Sequence, residues 1–167
     1  MLYEFMDSEK FQERLTKAKN YVYRLLAYRS RSCWEVRERL KKKRFSKKVI
    51  EKTIVELKDL NFLNDGEFSS TWVDMKLSIN PCGRRLIEQE LRRKGIDEEI
   101  IRDVCEEAFN GDSEYEFASN LALRKLSRYQ NLDERTKWKR LYSLLGRRGF
   151  PLEVVHDVLS EVIGGSE

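Results

Sequence analysis

The chain is poor in the residues that punctuate or crosslink a fold. Its 167 residues include two prolines, eight glycines, three cysteines and one histidine. Cys33, Cys82 and Cys105 are too few and too scattered for a disulfide framework, and with His156 alone they offer no metal-ligand spacing. They are expected to serve as small buried hydrophobes. No run of eighteen apolar residues exists, so no membrane-spanning helix is expected. The opening Met1-Leu2-Tyr3-Glu4 lacks the basic-then-apolar pattern of a secretion signal, and a cytoplasmic protein is expected. There is no GxxxxGK[ST] loop, no histidine pair and no nucleophile elbow, so neither catalytic residues nor cofactor nor metal is expected, and the chain does not read as an enzyme. His156, beside Val155, reads as structural.

What the chain has is a diverged internal repeat, the signature of a stacked array. Leu40 is followed by Phe45, Val49-Ile50, Ile54 and Leu57. The same frame returns 51 residues on as Leu91, Ile96, Ile100-Ile101, Cys105 and Ala108. It returns again 54 residues later as Leu145, Phe150, Val154-Val155, Leu159 and Val162. The three extra residues fit the stretch Tyr129-Gln130-Asn131-Leu132-Asp133. Loop-closure entropy grows only logarithmically, so such lengthening costs little.

Apolar spacing and capping signals predict helices over 8–29, 33–43, 47–60, 66–78, 81–94, 98–109, 114–129, 134–147 and 151–163. Ser32-Cys33-Trp34-Glu35 and Ser113-Glu114-Tyr115-Glu116 read as capping boxes. Pro81 and Pro151 suit first helical positions, while Gly95, Asn110-Gly111, Gly149 and Gly164-Gly165 suit helix ends. The fold class expected is all-α: three tandem three-helix repeats stacked into an elongated, curved array. The divisions are an extension over 1–17 and repeats over 18–65, 66–112 and 113–167, with a monomer sufficient. Phe45, Ile96 and Phe150, at the tight turns, read as plugs of the three small cores.

Lys and Arg exceed Asp and Glu by only 33 to 29, so the distribution of charge matters more than its total. Six of the eight residues from 41 to 48 are basic: Lys41, Lys42, Lys43, Arg44, Lys47 and Lys48. The second repeat offers Arg84, Arg85, Arg92, Arg93 and Lys94. The third offers Arg147 and Arg148, preceded by Lys137, Lys139 and Arg140. Cations in a helix's last turn are favoured by its dipole, which accounts for two or three per helix. Six in eight goes beyond that need. If the units stack in register, the clusters form a basic stripe suited to phosphate or to an acidic protein surface, with a salt slope of roughly −5 for about six phosphates.

Tyr21, Tyr23, Tyr28, Trp34, Trp72 and Trp138 fall at helical spacing on apolar faces and read as core rather than as a base-stacking platform. Helix, tight turn, helix also fits a helix-turn-helix DNA-binding protein. Against groove reading stands the acidic third helix of the second repeat, with Asp97, Glu98, Glu99, Asp103, Glu106 and Glu107.

The segment Leu60-Asn61-Phe62-Leu63-Asn64-Asp65-Gly66-Glu67-Phe68, with Gly83-Arg84-Arg85-Leu86-Ile87 and Glu90-Leu91-Arg92-Arg93-Lys94-Gly95-Ile96-Asp97, resembles the RecX regulatory proteins. Ser30-Arg31-Ser32, Arg39-Leu40 and Arg147-Arg148-Gly149-Phe150 add to a likeness running from about Ala18 to Val162. The resemblance implies three tandem three-helix repeats and a role in DNA recombination, repair and the SOS response. The implied partners are RecA protein and the RecA-DNA filament, with single- or double-stranded DNA contacted through the basic stripe. The implied action is to limit filament extension, ATP hydrolysis and strand exchange. Two departures stand out. Residues 1–17 are poorly shared, and Lys43-Arg44-Phe45 puts arginine where many members have glycine, so a differently shaped helix end is expected there.

Overall fold

The structure is a computed structural model that describes residues 2–111 and 113–164, with side chains from Glu9 onward. Among the described residues it holds nine helices: α1 Leu2–Tyr28, α2 Cys33–Lys42, α3 Lys47–Asp59, α4 Asp65–Ile79, α5 Arg84–Arg93, α6 Glu98–Ala108, α7 Ser113–Leu126, α8 Glu134–Arg147 and α9 Leu152–Gly164. The fold is all-α, with three helices per repeat as the frame predicts. Two compact units emerge, one of Met1–Phe68 with Lys94–Asp97, the other of Ser69–Arg93 with Glu98–Glu167.

In the first unit, Ala18 and Val22 of α1 meet Val36 and Leu40 of α2 and Val49, Ile50, Ile54 and Leu57 of α3 in one buried cluster. The spacings of three and four residues place each set on one helical stripe, so the sequence can bury them together. Ser32 caps α2 through the full reciprocal box, its hydroxyl accepting from the Glu35 amide. The same hydroxyl donates to the Lys94 carbonyl at 2.7 Å. Gly95, at φ +70, lies against Trp34; a Cβ there would overlap the indole's Cβ and Cγ.

The α2–α3 joint corrects one expectation. Arg44 adopts φ +59, the left-handed conformation that Gly95 and Gly149 adopt at the equivalent joints. The helix end therefore has the same shape despite the arginine, at a steric cost of about 1–2 kcal/mol that glycine would not incur.

In the second unit, Ala118, Leu121 and Ala122 of α7, Leu141 and Leu145 of α8, and Val155, Val158 and Leu159 of α9 form a buried cluster with Phe150 at the joint. Ile87, Leu91, Ile101 and Cys105 are buried where α5 meets α6. The α5 start differs from expectation: residues 80–83 form a link, and Pro81 is not helical. Gly83 lacks a capping side chain, and the Arg84 amide donates instead to Glu114 of α7 at 2.8 Å. The Gly83 amide donates to the Arg148 carbonyl at 3.0 Å, tying this link to the α8–α9 joint. Pro151 also precedes its helix by one residue, its carbonyl accepting from Val155. Ser113 is the first residue of α7 rather than its cap, and its hydroxyl donates to Ala108. The cap position falls on residue 112, outside the described residues.

Candidate functional site

The α2–α3 joint presents the densest positive charge. Lys41, Lys42, Lys43, Arg44, Lys47 and Lys48 are all exposed. Lys41 pairs with Glu38 at 2.7 Å, and the other five form no ion pair among the described residues. Lys43 lies 5.6 Å from the centroid of Tyr21. Arg14, from α1, sits over the Phe45 ring at 5.4 Å and donates to the Arg44 carbonyl at 3.3 Å. Arg14 thus adds a seventh cation that sequence spacing did not expose, because it arrives from thirty residues away. The half-buried Phe45 is the floor on which this patch is held.

Elsewhere several arginines are matched by carboxylates. Arg29 meets both oxygens of Glu35 at 2.8 and 3.0 Å, and Arg37 meets both of Glu51 at 3.0 Å. The bonds to Arg29 hold the Glu35 carboxyl below its ordinary pKa against the opposing effect of burial. Two of the five cations of the second basic cluster belong to this paired class. Arg84 bonds Glu88 at 2.8 Å, and Arg92 bonds Glu98 at 2.7 and 3.0 Å. Arg85 and Arg93 are exposed, whereas half-buried Lys94 lies 5.7 Å over the Phe68 ring in the first unit.

In the third repeat Arg148 has an architectural place. It is half-buried, its guanidinium donates to the Asn80 carbonyl at 3.5 Å, and its own carbonyl receives the Gly83 amide. Arg147 instead points to solvent, beside Lys139 and Arg140, along a groove of about 550 Å³.

The cysteines and His156 carry no such clustering. All three thiols are buried, and desolvation pushes each up to about 11. His156 is exposed, edge-on to Tyr142 with centroids 5.6 Å apart. Tyr28 and Trp34 depart from the expected core role, with exposures of 86% and 42%. Tyr28 ends its helix, and Trp34 sets its Cβ, Cγ and Cδ1 against Gly95 while part of the side chain stays exposed. Among the described residues, no helix is long and apolar enough to cross a membrane, and no group of three or more His, Cys, Asp or Glu is placed to hold a metal.

Three family models match in succession: "RecX, first three-helix domain" over residues 18–57, the second over 64–104 and the third over 112–159. The chain is 33% identical over 150 residues to the regulatory protein RecX of Amycolatopsis mediterranei, spanning 90% of this chain and 85% of that protein. It is 32% identical over 150 residues to the RecX of Prosthecochloris aestuarii, spanning 88% and 94%. The fold matches a crystal structure of regulatory protein RecX at a TM-score of 0.80 and 24% identity, covering 98% of this chain and 78% of that one. It matches the crystal structure of RecX from Lactobacillus salivarius at 0.79 and 24% identity, covering 90% and 97%. With three consecutive domains matched across most of its length, this chain belongs to the RecX family of regulatory proteins.

Proposed function

We propose that this protein binds the RecA-DNA filament and restrains filament extension, ATP hydrolysis and strand exchange. Membership of the RecX family over all three domains carries this reading. The cations of the α2–α3 joint supply its chemistry: Lys42, Lys43, Arg44, Lys47 and Lys48 face solvent and form no ion pair among the described residues. They suit an acidic protein surface or DNA phosphate, with Arg85, Arg93 and Arg147 as further contacts. Lys41, Arg84, Arg92, Lys94 and Arg148 are already engaged within the fold, and their part in binding is secondary. A chain of like units meeting a polymer of like subunits binds at several points at once, which favours filament over free subunit. Such bridging opposes the subunit motions that hydrolysis and exchange require. A cytoplasmic, monomeric protein follows from this role.

The experiment is RecA ATP hydrolysis on single-stranded DNA, with this protein titrated in at two salt concentrations. Inhibition well below one molecule per RecA subunit is expected, weakening with salt. Replacing Lys42, Lys43, Arg44 and Lys48 with alanine should raise the amount required. No inhibition by the wild-type protein, with RecA from the matching source, refutes the assignment.

A further inference from the structure

One side chain in the link between α1 and α2, residues 29–32, lacks the partner its position calls for. Arg31 is half-buried, and its Nε is enclosed with no hydrogen-bond acceptor, the one buried side-chain nitrogen or oxygen so placed among the described residues. Its guanidinium forms no ion pair among them either. Arg29, Glu35, Arg39 and Tyr21 stand within electrostatic reach. Glu35 is the only carboxylate of that set, and it is already engaged. Its two oxygens accept from Arg29 at 2.8 and 3.0 Å, and one of them also accepts the Ser32 amide at 3.3 Å. Arg39 is exposed and likewise has no ion pair among the described residues. Burial, together with the charges of Arg29 and Arg39, holds the Arg31 pKa below the ordinary arginine value. The corner gathers three guanidinium groups around one carboxylate, and an enclosed N–H without an acceptor calls for an explanation in a folded protein.

The fold itself shows what such an arginine takes. Arg37 grips Glu51 through Nε and Nη2, each bond 3.0 Å long, and Arg92 grips Glu98 through the same edge at 2.7 and 3.0 Å. That edge matches the two oxygens of a carboxylate with parallel bonds. On Arg31 the edge is empty, and a turn of the guanidinium toward the open side of the link would present it to a ligand. A recess that hides Nε admits the slender tip of an Asp or Glu side chain more readily than a phosphate flanked by sugars. The site is peculiar to the first repeat. At the repeat offset, Arg31 and Arg39 correspond to Cys82, which is buried, and to Glu90, which receives Lys76 at 2.8 and 2.9 Å. It is also continuous with the α2–α3 joint. Arg39 and Lys43 lie one helical turn apart, and Tyr21 has Lys43 over its ring at 5.6 Å.

We infer that Arg31, with Arg39 beside it, is the seat of a carboxylate side chain, an Asp or Glu, of the filament's protein subunits. The inference rests on the filament reading and adds to it the chemistry of one contact, a protein carboxylate as distinct from DNA phosphate. In the free protein Arg31 is unpaired; in the complex the partner supplies the second carboxylate that the corner lacks.

The test is co-sedimentation of the full chain with RecA filaments formed on circular single-stranded DNA, titrated at fixed salt. Arg31→Lys keeps the charge but not the forked edge, and Arg31→Met keeps only the aliphatic stem. Each should bind at least about tenfold more weakly, the loss of a charge-assisted hydrogen-bonded pair. Lys10→Gln removes an exposed charge elsewhere on α1 and should stay within about twofold of wild type. Thermal unfolding separates recognition from architecture. Arg31→Met removes an unmet donor and a like-charge repulsion, so its midpoint should equal or exceed that of the wild type. A lower midpoint would show that Arg31 holds the link and would overturn the inference. A labelled oligothymidylate without RecA separates carboxylate from phosphate: if the Arg31 variants lose affinity for it in the same proportion as for the filament, the site belongs to phosphate and the inference falls. Filament binding by both variants equal to wild type overturns the inference and leaves the filament reading standing. No filament binding by the wild type refutes both.

Discussion

Replacing Gly83 with alanine should be the most damaging single-methyl change in the second unit. A Cβ at Gly83 would overlap the carbonyl of Gly149 and lie 2.7 Å from Phe150 Cα. These are backbone atoms, so no side chain can rotate away. Ordinary contact needs at least 3.4 Å, and gaining that separation pulls the Gly83 amide from the Arg148 carbonyl it now meets at 3.0 Å. Overpacking contributes about 1–3 kcal/mol and an orphaned buried amide about as much again, giving a loss near 4 kcal/mol. At about 2–4 °C per kcal/mol for a chain of this size, the midpoint should drop by about 8–16 °C. Thermal unfolding followed by far-UV circular dichroism measures it. Gly146→Ala is the matched control: Gly146 lies within α8, and nothing approaches its added Cβ within 4 Å. That variant should gain about 0.5–1 kcal/mol from helix propensity. A Gly83→Ala midpoint within about 3 °C of wild type, against the shift expected at this scale, would refute the close backbone approach.

Two further outcomes follow from the joints and caps. Arg44→Gly should stabilise the first unit by about 0.5–1 kcal/mol in urea denaturation, the left-handed penalty less the extra entropy of glycine; a loss of stability would show that the arginine side chain itself holds the joint. For Glu114, burial raises the carboxyl pKa above its ordinary 4.5 despite the bond from Arg84. A raised folded pKa gives stability that is present below 4.5 and lost as pH rises through the folded value. Glu114→Gln keeps an acceptor for the Arg84 amide and removes this charge, so its stability relative to wild type should rise with pH from about 4.5 towards neutrality. Glu114→Ala leaves that amide without its partner and should cost about 1–3 kcal/mol. Parallel pH curves for wild type and Glu114→Gln would contradict the burial assigned to Glu114.

The apolar frame was legible because it records each residue's burial directly. Leu40, Leu91 and Leu145 are all fully buried, as are Cys105 and Leu159 at the slot of the nearly buried Ile54. The Ser32 box was legible because its partners are three residues apart. The start of α5 was not, because the capping group, Glu114, lies thirty residues along the chain and no local spacing announces it. The same reason hid Arg14 beside Phe45. Within the basic clusters, counting charges could not separate Arg92, neutralised by Glu98, from Arg147, held by Ser143 with its charge intact. The lengthened link around Tyr129 was visible as an insertion, but its use in holding Arg140 depends on where that ring folds.

The three joints share one backbone shape and differ in what surrounds it, which bears on how such a chain can diversify. At the first joint the left-handed residue carries an exposed arginine side chain. At the third, a Cβ on Gly149 would meet Leu86 N at 2.8 Å and Leu86 Cβ at 2.9 Å. A module copied from the first position into the third would bring a long side chain where not even a methyl fits. The repeats descend from a common pattern, yet they are no longer exchangeable parts. Their order along the chain is written into the glycines, and shuffling or duplicating whole modules would fail at these contacts before it failed in any core.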